Sequence, residues 1–390
     1  MKILFVLSRF PHPLDKGDKL RAFHQIRMLS QQNEVHLIAL NDEKVNQEGM
    51  EALKQYCKTV ECVVLPAWKS KLNLMRSFFN NWPFQVNYFY SRAMYKAIER
   101  IVKDEQIEVV MGQLVRVVEN IPKGLGVHYH LDYMDAFSKN MERRFHHSTK
   151  FEKRFVKREK ERLVEYEKAV AARFDSLSMI AEPDAAVLQK ELKKVVEVIP
   201  NGISDYFLNY KELGIEDKEY DIIFTGNMGY HPNIQACKYL IYDLLPMITE
   251  RFRPIKICLA GTSPTQEVKD FASENVVVTG FVEDLRPYLA KSRLFVAPLF
   301  GGSGLQNKLL ESLAMGLPTL TTRLANNALK ATPKEHILVC NDKEAFTKQV
   351  IRLLQNPESA KSLGQNGKVY IEKHFSWQTF NTKLENILKG

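Results

Sequence analysis

The stretch Pro298-Leu-Phe-Gly-Gly-Ser-Gly-Leu-Gln-Asn-Lys-Leu-Leu-Glu-Ser-Leu-Ala-Met-Gly-Leu-Pro318 decides how this chain is read. The apolar run 294–297 ahead of it reads as a buried strand that ends at Pro298. Gly301, Gly302, Ser303 and Gly304 then make a turn, and a helix is predicted over 305–315. Strand, glycine turn and helix in that order bring unpaired backbone amides to the helix start, where an anion can be held, and the glycines let a ligand approach the backbone closely. Lys308 lies about one turn into that helix and Glu311 three residues further, so the two share the face bordering the loop. Two readings of this spacing stand. One is a nucleotide site, with the lysine on a phosphate and the carboxylate on a sugar diol. The other is a tight strand–helix turn carrying a solvated Lys–Glu pair.

Outward from that stretch, short apolar runs alternate with helical patterns along the whole chain. Strands are predicted over 3–7, 35–40, 60–65, 107–111, 127–131, 176–180 and 195–199. A second series follows over 221–225, 255–260, 276–279 and 294–297, with shorter candidates at 319–322 and 337–339. Helical spacing fills the intervals 19–30, 47–56 and 234–252, and the final ~45 residues read as helical apart from breaks near Pro357 and Phe375-Ser376-Trp377. Such alternation predicts an α/β fold with parallel sheets covered by helices on both faces. Ile199-Pro200-Asn201-Gly202-Ile203 is a turn signal between the two series. Two doubly wound domains, 1–200 and 201–376, are therefore expected, with the cleft between them as the default ligand site. The stretch 138–172 reads as one helix or two, with Met141, Phe145, Phe155, Leu163, Tyr166 and Val170 as an apolar stripe.

The chain has 390 residues, 45% apolar and 26% charged, enough for two domains with real cores and unlike a disordered chain, a collagen or a disulfide scaffold. Its net charge of +9 is uneven. Residues 1–200 hold 33 basic against 26 acidic side chains, and residues 201–390 hold 22 against 20. Much of the excess lies in 139–162, with 10 basic and 4 acidic residues. The five cysteines carry no C-x-x-C pair and read as reduced thiols, so a cytoplasmic chain without a cysteine metal site is expected. Met1-Lys2 runs straight into an apolar run too short for a signal peptide, and no apolar run is long enough to span a membrane. The segment 68–95 mixes rings (Trp68, Phe78, Phe79, Trp82, Phe84, Tyr88, Phe89, Tyr90) with Lys69, Lys71, Arg76 and Arg92. That mixture suits an anionic membrane surface or a lipid-linked acceptor, although most of the rings are expected in the core. Nucleic acid is not an expected partner, because no recognisable nucleic-acid module accompanies the charge.

Several further segments, taken in order, carry a family likeness. They are Gly17-Asp18-Lys19-Leu20-Arg21 after the first strand, Ala181-Glu182-Pro183-Asp184, Ile199-Pro200-Asn201-Gly202-Ile203, Phe224-Thr225-Gly226-Asn227-Met228, Val278-Thr279-Gly280-Phe281-Val282, and Glu311-Ser-Leu-Ala-Met-Gly-Leu-Pro318. Together they resemble retaining glycosyltransferases of family 4, with the GT-B fold of two Rossmann-like domains facing a cleft. The nearer resemblance is to sugar transferases of bacterial exopolysaccharide gene clusters. The resemblance implies transfer of a sugar (hexosyltransferase-type) from a nucleotide diphosphate sugar to a sugar or polyprenyl-linked acceptor hydroxyl. It also implies retention at the anomeric carbon, no metal and no cofactor beyond the donor substrate. The cytoplasm, up to the inner face of its membrane, is the expected place, with an anionic membrane as an additional contact. The first domain would be the acceptor side, with residues 377–390 crossing back onto it, and the second would hold the nucleotide sugar.

Carried over residue by residue, Glu311 matches the second Glu of the family's E-x7-E motif, which holds the ribose hydroxyls. Its first Glu falls at Ser303, which cannot act as a carboxylate. The backbone of Gly302, Ser303, Gly304 and Leu305 is expected to cradle the diphosphate, with Lys308 as its main cation. The glycine turn Gly226-Asn227 lacks the Arg and Lys that the family often places after it, so His231 is a further donor candidate, or simply a helix-start residue. At the end of the fifth strand Asp132, Asp135 and His130, in that order, are the catalytic candidates on the first domain, and Asp135 reads equally as a helix cap. Alternation places His128, His130 and Asp132 on one side. Arg9, Gly17, Asp18 and Arg21 form the candidate loop toward diphosphate and acceptor, or else an exposed basic loop. The missing carboxylate at 303 and the missing Arg/Lys pair keep an alternative in view: a catalytically inactive nucleotide-sugar-binding regulatory or scaffolding module of the same fold.

Overall fold

In the computed structural model of the chain, residues 1–14, 16–45, 47–147, 150–211, 213–301 and 304–390 are described. They form two compact units, Met1–Pro200 together with Trp377–Gly390, and Asn201–Ser376.

The first unit is built on seven parallel strands: β1 (Lys2–Leu7), β2 (Glu34–Asn41), β3 (Thr59–Val64), β4 (Val109–Gln113), β5 (His128–Asp132), β6 (Ser176–Met179) and β7 (Glu197–Val198). Their order is β3-β2-β1-β4-β5-β6-β7. The strands read as continuous apolar runs because both faces of the sheet are covered. Alternate residues sort cleanly between two cores. Leu4, Val6, Ile38, Leu40 and Val110 pack on one face, and Ile3, Phe5, Leu7, Leu37, Ala39 and Met111 on the other. The helix Gly17–Leu29 lies on the second face through Ala22, Ile26 and Leu29, and the Trp377–Lys389 helix joins it there through Leu384 and Leu388. His24 stacks on Trp377 at 4.9 Å between ring centroids.

The second unit repeats the plan with β8 (Tyr220–Thr225), β9 (Ile257–Ala260), β10 (Val276–Gly280), β11 (Ser292–Ala297), β12 (Thr319–Thr321) and β13 (Leu338–Val339), in the order β10-β9-β8-β11-β12-β13. Each sheet reverses its strand order once, between β1 and β4 and between β8 and β11. In doubly wound sheets, ligands bind beyond the carboxyl ends of the strands at such a reversal. The glycine turn at Gly226 follows β8, and the loop from Pro298 follows β11.

The stretch 138–172 takes the second of its two expected forms, two helices, Phe137–His147 and Lys150–Ala171. Its apolar stripe and the helix after the glycine turn need correction. Leu163, Tyr166 and Val170 are buried, but Phe155 is exposed and Val156 takes the inward place next to it. Phe155 rests one face on Phe84 at 4.6 Å and leaves the rest to solvent. The helix expected from 305 begins two residues later, as Asn307–Ala314, with Gln306 in extended conformation at its cap. Among the described residues no helix is long and apolar enough to cross a membrane.

Candidate functional site

In the second unit the site begins where β8 and β9 end side by side. Gly226 and Gly261 adopt φ of 151° and 149°, a backbone that other residues rarely adopt. A Cβ on Gly261 would lie 1.8 Å from the Gly226 carbonyl oxygen, so only glycine allows the two strand ends to touch. A Cβ on Gly226 would in turn meet Lys308 Nζ at 2.7 Å. The bare backbone of Gly226 is therefore the wall against which the lysine lies.

Lys308 is buried. Its Nζ donates to Asn233 Oδ1 at 2.5 Å and sits 4.4 Å from the centroid of the Phe224 ring. Asn233 is fixed by donating from Nδ2 to the Asn227 carbonyl at 2.8 Å. No ion pair to Lys308 is found among the described residues. Burial weakens the charged form and lowers its pKa to about 8, with the Glu311 charge among the opposing influences. Burial pushes Glu311 up to about 7, and Lys308 pulls the other way. Part of the Glu311 side chain still reaches solvent. A cation held by one neutral amide and a ring can pair with an anion at Nζ, and a carboxylate three residues on that still reaches solvent can accept hydrogen bonds. The neighbouring Cys237 thiol is pushed up to about 12 by burial, so it stays protonated and is no nucleophile.

The remaining second-unit candidates divide. Asn227 Oδ1 accepts from the Gly229 amide at 2.9 Å, so its side chain shapes the turn. His231 opens the helix His231–Lys238 and is exposed. Gly304 has φ of 74° and Leu305 is half-buried on the way into the Asn307 helix. Gly302 and Ser303 lie outside the described residues. The sequence reading overlooked Asn233, although its place two residues into a helix after the glycine turn was the available signal. It also overlooked Asn201, whose Nδ2 donates to Asn307 Oδ1 at 2.9 Å and ties the 199–203 turn to the start of the helix carrying Lys308. A cavity of about 280 Å³ among Leu213, Leu289, Leu294 and Leu317 lies by the amino ends of β11 and β12, the opposite end of the sheet from this site.

In the first unit the leading candidates, Asp132 and His130, are enclosed. Asp132 is fully buried and its Oδ2 accepts from Arg21 Nε at 2.6 Å, with Arg21 equally buried. Gln25 adds a bond at 3.4 Å, and Asp132 Oδ1 takes the Met134 amide at 3.2 Å. The pair ties β5 to the Gly17–Leu29 helix, so neither residue is the open group that was expected. His130 is buried between Ser176 Oγ at 2.8 Å and Ser178 Oγ at 2.9 Å. Burial lowers its pKa to about 4 and keeps it neutral. Alternation does put His128, His130 and Asp132 on one side, but β6 and the helix cover that side.

What stays partly open at the carboxyl ends of β1, β4 and β5 is a different group. Arg9 pairs with Asp18 at 2.9 Å near the exposed Gly17, the first residue of its helix. Asp135 is half-buried. Arg116, which the sequence reading missed, lies between the Phe89 and Phe137 rings at 5.0 and 5.1 Å. Its Nε is buried without a hydrogen-bond partner. Burial lowers its pKa to about 10, helped by Arg9 and opposed by Asp18 and Asp135, so these four charges share one neighbourhood. Its signal in the sequence was its place as the first basic residue after β4. Among the described residues one cluster could ligate a metal, Glu34, His36 and Glu105, but Lys58 pairs with both Glu34 at 3.1 Å and Glu105 at 3.5 Å. It lies at the amino end of β2, away from either site.

Comparison with known proteins gives this geometry its family. Residues 219–356 match the model of the glycosyl transferases group 1. A protein described as an uncharacterized 44.6 kDa protein in the cps region of Klebsiella pneumoniae is 21% identical over 96% of both chains. Sucrose-phosphate synthase from Thermosynechococcus elongatus matches in structure with a TM-score of 0.71 at 14% identity, covering 100% of this chain and 98% of that one. HepE from Anabaena, in complex with UDP, matches with a TM-score of 0.67 at 12% identity, covering all of both chains. Residues 219–356 thus form a domain of the group 1 glycosyltransferases, carried on a chain whose two parallel-sheet units have the GT-B fold.

Proposed function

We propose that the chain is a retaining, metal-independent glycosyltransferase of the family 4 type, moving a hexose from a nucleotide diphosphate sugar to an acceptor hydroxyl. The observation that carries the reading is Lys308, a buried cation with no ion pair among the described residues, at the first turn of a helix that follows a glycine loop. A diphosphate supplies the missing negative charge, and the charge grows as the bond to the sugar breaks. A preorganised cation at that point stabilises the leaving group electrostatically. The anomeric C–O bond to the diphosphate breaks and the acceptor oxygen bonds to the same face. The acceptor proton passes to the departing phosphate oxygen. Glu311 receives the ribose hydroxyls. On the first unit, Asp135 with Arg9 and Arg116 is the polar group we assign to the acceptor.

The cps-region relative supports a role in cell-surface or exopolysaccharide biosynthesis, and the UDP complex of HepE supports a nucleotide diphosphate donor. We assign the enzyme to the cytoplasm, up to the inner face of its membrane, where a sugar or polyprenyl-linked acceptor would be met. The test is a thermal-shift screen with UDP, GDP and dTDP, followed by a product assay with the matching sugars. Lys308→Ala and Glu311→Ala are each expected to abolish transfer while the protein stays folded. Full activity in both would remove the site assignment, and tight nucleotide binding with no turnover would favour the inactive module.

A further inference from the structure

The segment behind β3 is folded inside out. The Ala67–Asn73 helix and the 3-10 turn Leu74–Phe78 bury Ser70 and Ser77 and turn their large apolar side chains outward. Phe78 and Phe79 are 70% and 89% exposed, and Trp68, Leu72 and Met75 are each more than half exposed. Five such side chains within twelve residues form a patch that a monomer in water has no reason to keep. The segment is nevertheless anchored from behind. Asn73 Nδ2 donates to the Tyr90 carbonyl at 2.8 Å, and Arg162 donates to the carbonyls of Ser77 at 2.9 Å and Trp82 at 3.4 Å. Arg76 lies over the Tyr90 ring at 4.4 Å.

Charge selects the occupant. No Asp or Glu occurs from residue 62 through 98, while Lys69, Lys71, Arg76, Arg92 and Lys96 do. Lys69, Lys71 and Arg76 are exposed among the apolar side chains. The Lys150–Ala171 helix adds exposed Arg154, Phe155, Lys157 and Arg158 beside Phe84. A second copy of the chain would bring like charges face to face, which disfavours self-association. An anionic bilayer offers headgroups to the cations and an acyl boundary to the rings, an arrangement that suits interfacial aromatic and basic side chains.

We infer that residues 67–79 are the surface by which this protein docks on an anionic lipid bilayer, with Phe78 and Phe79 entering the acyl boundary. This deepens the membrane contact in the proposed function, and it stands whether or not sugar transfer does.

The test is flotation of the full chain with vesicles of phosphatidylcholine alone or mixed equally with phosphatidylglycerol, without any nucleotide. The wild type is expected to float only with the mixed vesicles, and less so as salt rises. The pair Phe78→Ser and Phe79→Ser is expected to lower partitioning at least about tenfold. The pair Lys69→Gln and Lys71→Gln is expected to lower it about 25-fold, fivefold for each charge. Both variants should keep the wild-type melting temperature and its shift with nucleotide, because these side chains face solvent. Absence of flotation, or flotation unchanged by the Phe pair, overturns the inference. So does a wild-type dimer in sedimentation that the Phe pair dissolves while vesicles are ignored.

Discussion

Replacing Lys308 by Met removes a charge that the fold holds at a loss. The drop of its pKa from 10.5 to about 8 is a penalty of about 3 kcal/mol for keeping the ammonium in the folded protein. That penalty is fully present below pH 8 and fades toward pH 10.5, where the unfolded chain also releases the proton. Met gives up the bond to Asn233 and the contact over Phe224, together about 2 kcal/mol. The two nearly cancel, so Lys308→Met without ligand should melt within about 2–4 °C of wild type at pH 7. Nucleotide binding should behave quite differently. A charge-assisted bond to phosphate is worth about 1.5–3 kcal/mol, so Kd should rise about 10- to 150-fold. At a nucleotide concentration about 100 times the wild-type Kd, binding adds about 2.7 kcal/mol to wild type. For a variant weakened about 100-fold the addition falls to about 0.4 kcal/mol. Differential scanning fluorimetry with and without nucleotide, backed by calorimetric titration, reads both effects. An unchanged nucleotide shift would refute the phosphate role. Collapse of the ligand-free variant would show instead that Lys308 is a structural strut.

Four further outcomes are expected. Glu311, raised from 4.5 to about 7, makes the fold lose stability as pH climbs through that interval. Glu311→Gln should flatten this slope in melting curves while sugar transfer falls. Nucleotide affinity of the wild type should be greatest between pH 7 and 8, declining below as Glu311 takes a proton and above as Lys308 loses one; calorimetry across that range checks it. Asp132→Asn removes the charge of one member of a fully buried ion pair and should cost up to about 3–5 kcal/mol in denaturant unfolding, where a purely catalytic aspartate would leave stability alone. Gly261→Ala should abolish the nucleotide-induced thermal shift, because the new Cβ runs into the Gly226 carbonyl.

The sheet was legible in the sequence because its strands are buried on both faces and read as unbroken apolar runs. Strand β7 is the exception: the apolar run at 195–199 yields only Glu197–Val198, an edge pair that joins the sheet through β6 alone. The loop–helix site was legible because glycine, lysine and glutamate lie within one short stretch. What escaped were contacts made across the sheet. Asn233 reaches Lys308 from 75 positions away, and Arg21 reaches Asp132 from 111. Period-two alternation correctly grouped His130 with Asp132, yet it could not say that β6 serines and a helix arginine would cover that side. Arg116 escaped because its one local signal, a basic residue soon after β4, does not foretell the Phe89 and Phe137 rings that enclose it. The ring and lysine mixture at 68–95 was legible as suiting a membrane surface, but which of its rings turn outward was not, since hydrophobicity indicates which residues can be buried and not which ones are.

The Trp377–Lys389 helix carries a consequence for biosynthesis. Leu384 and Leu388 complete the apolar face of the first unit, yet the whole of Asn201–Ser376 is translated before them. A nascent chain therefore holds the Gly17–Leu29 helix without its packing partner while the ribosome makes the second unit. Domains generally fold as they emerge, first unit first. The first unit therefore has its whole sheet early and gains its last packing helix only when synthesis ends, after every strand of the second unit has been made.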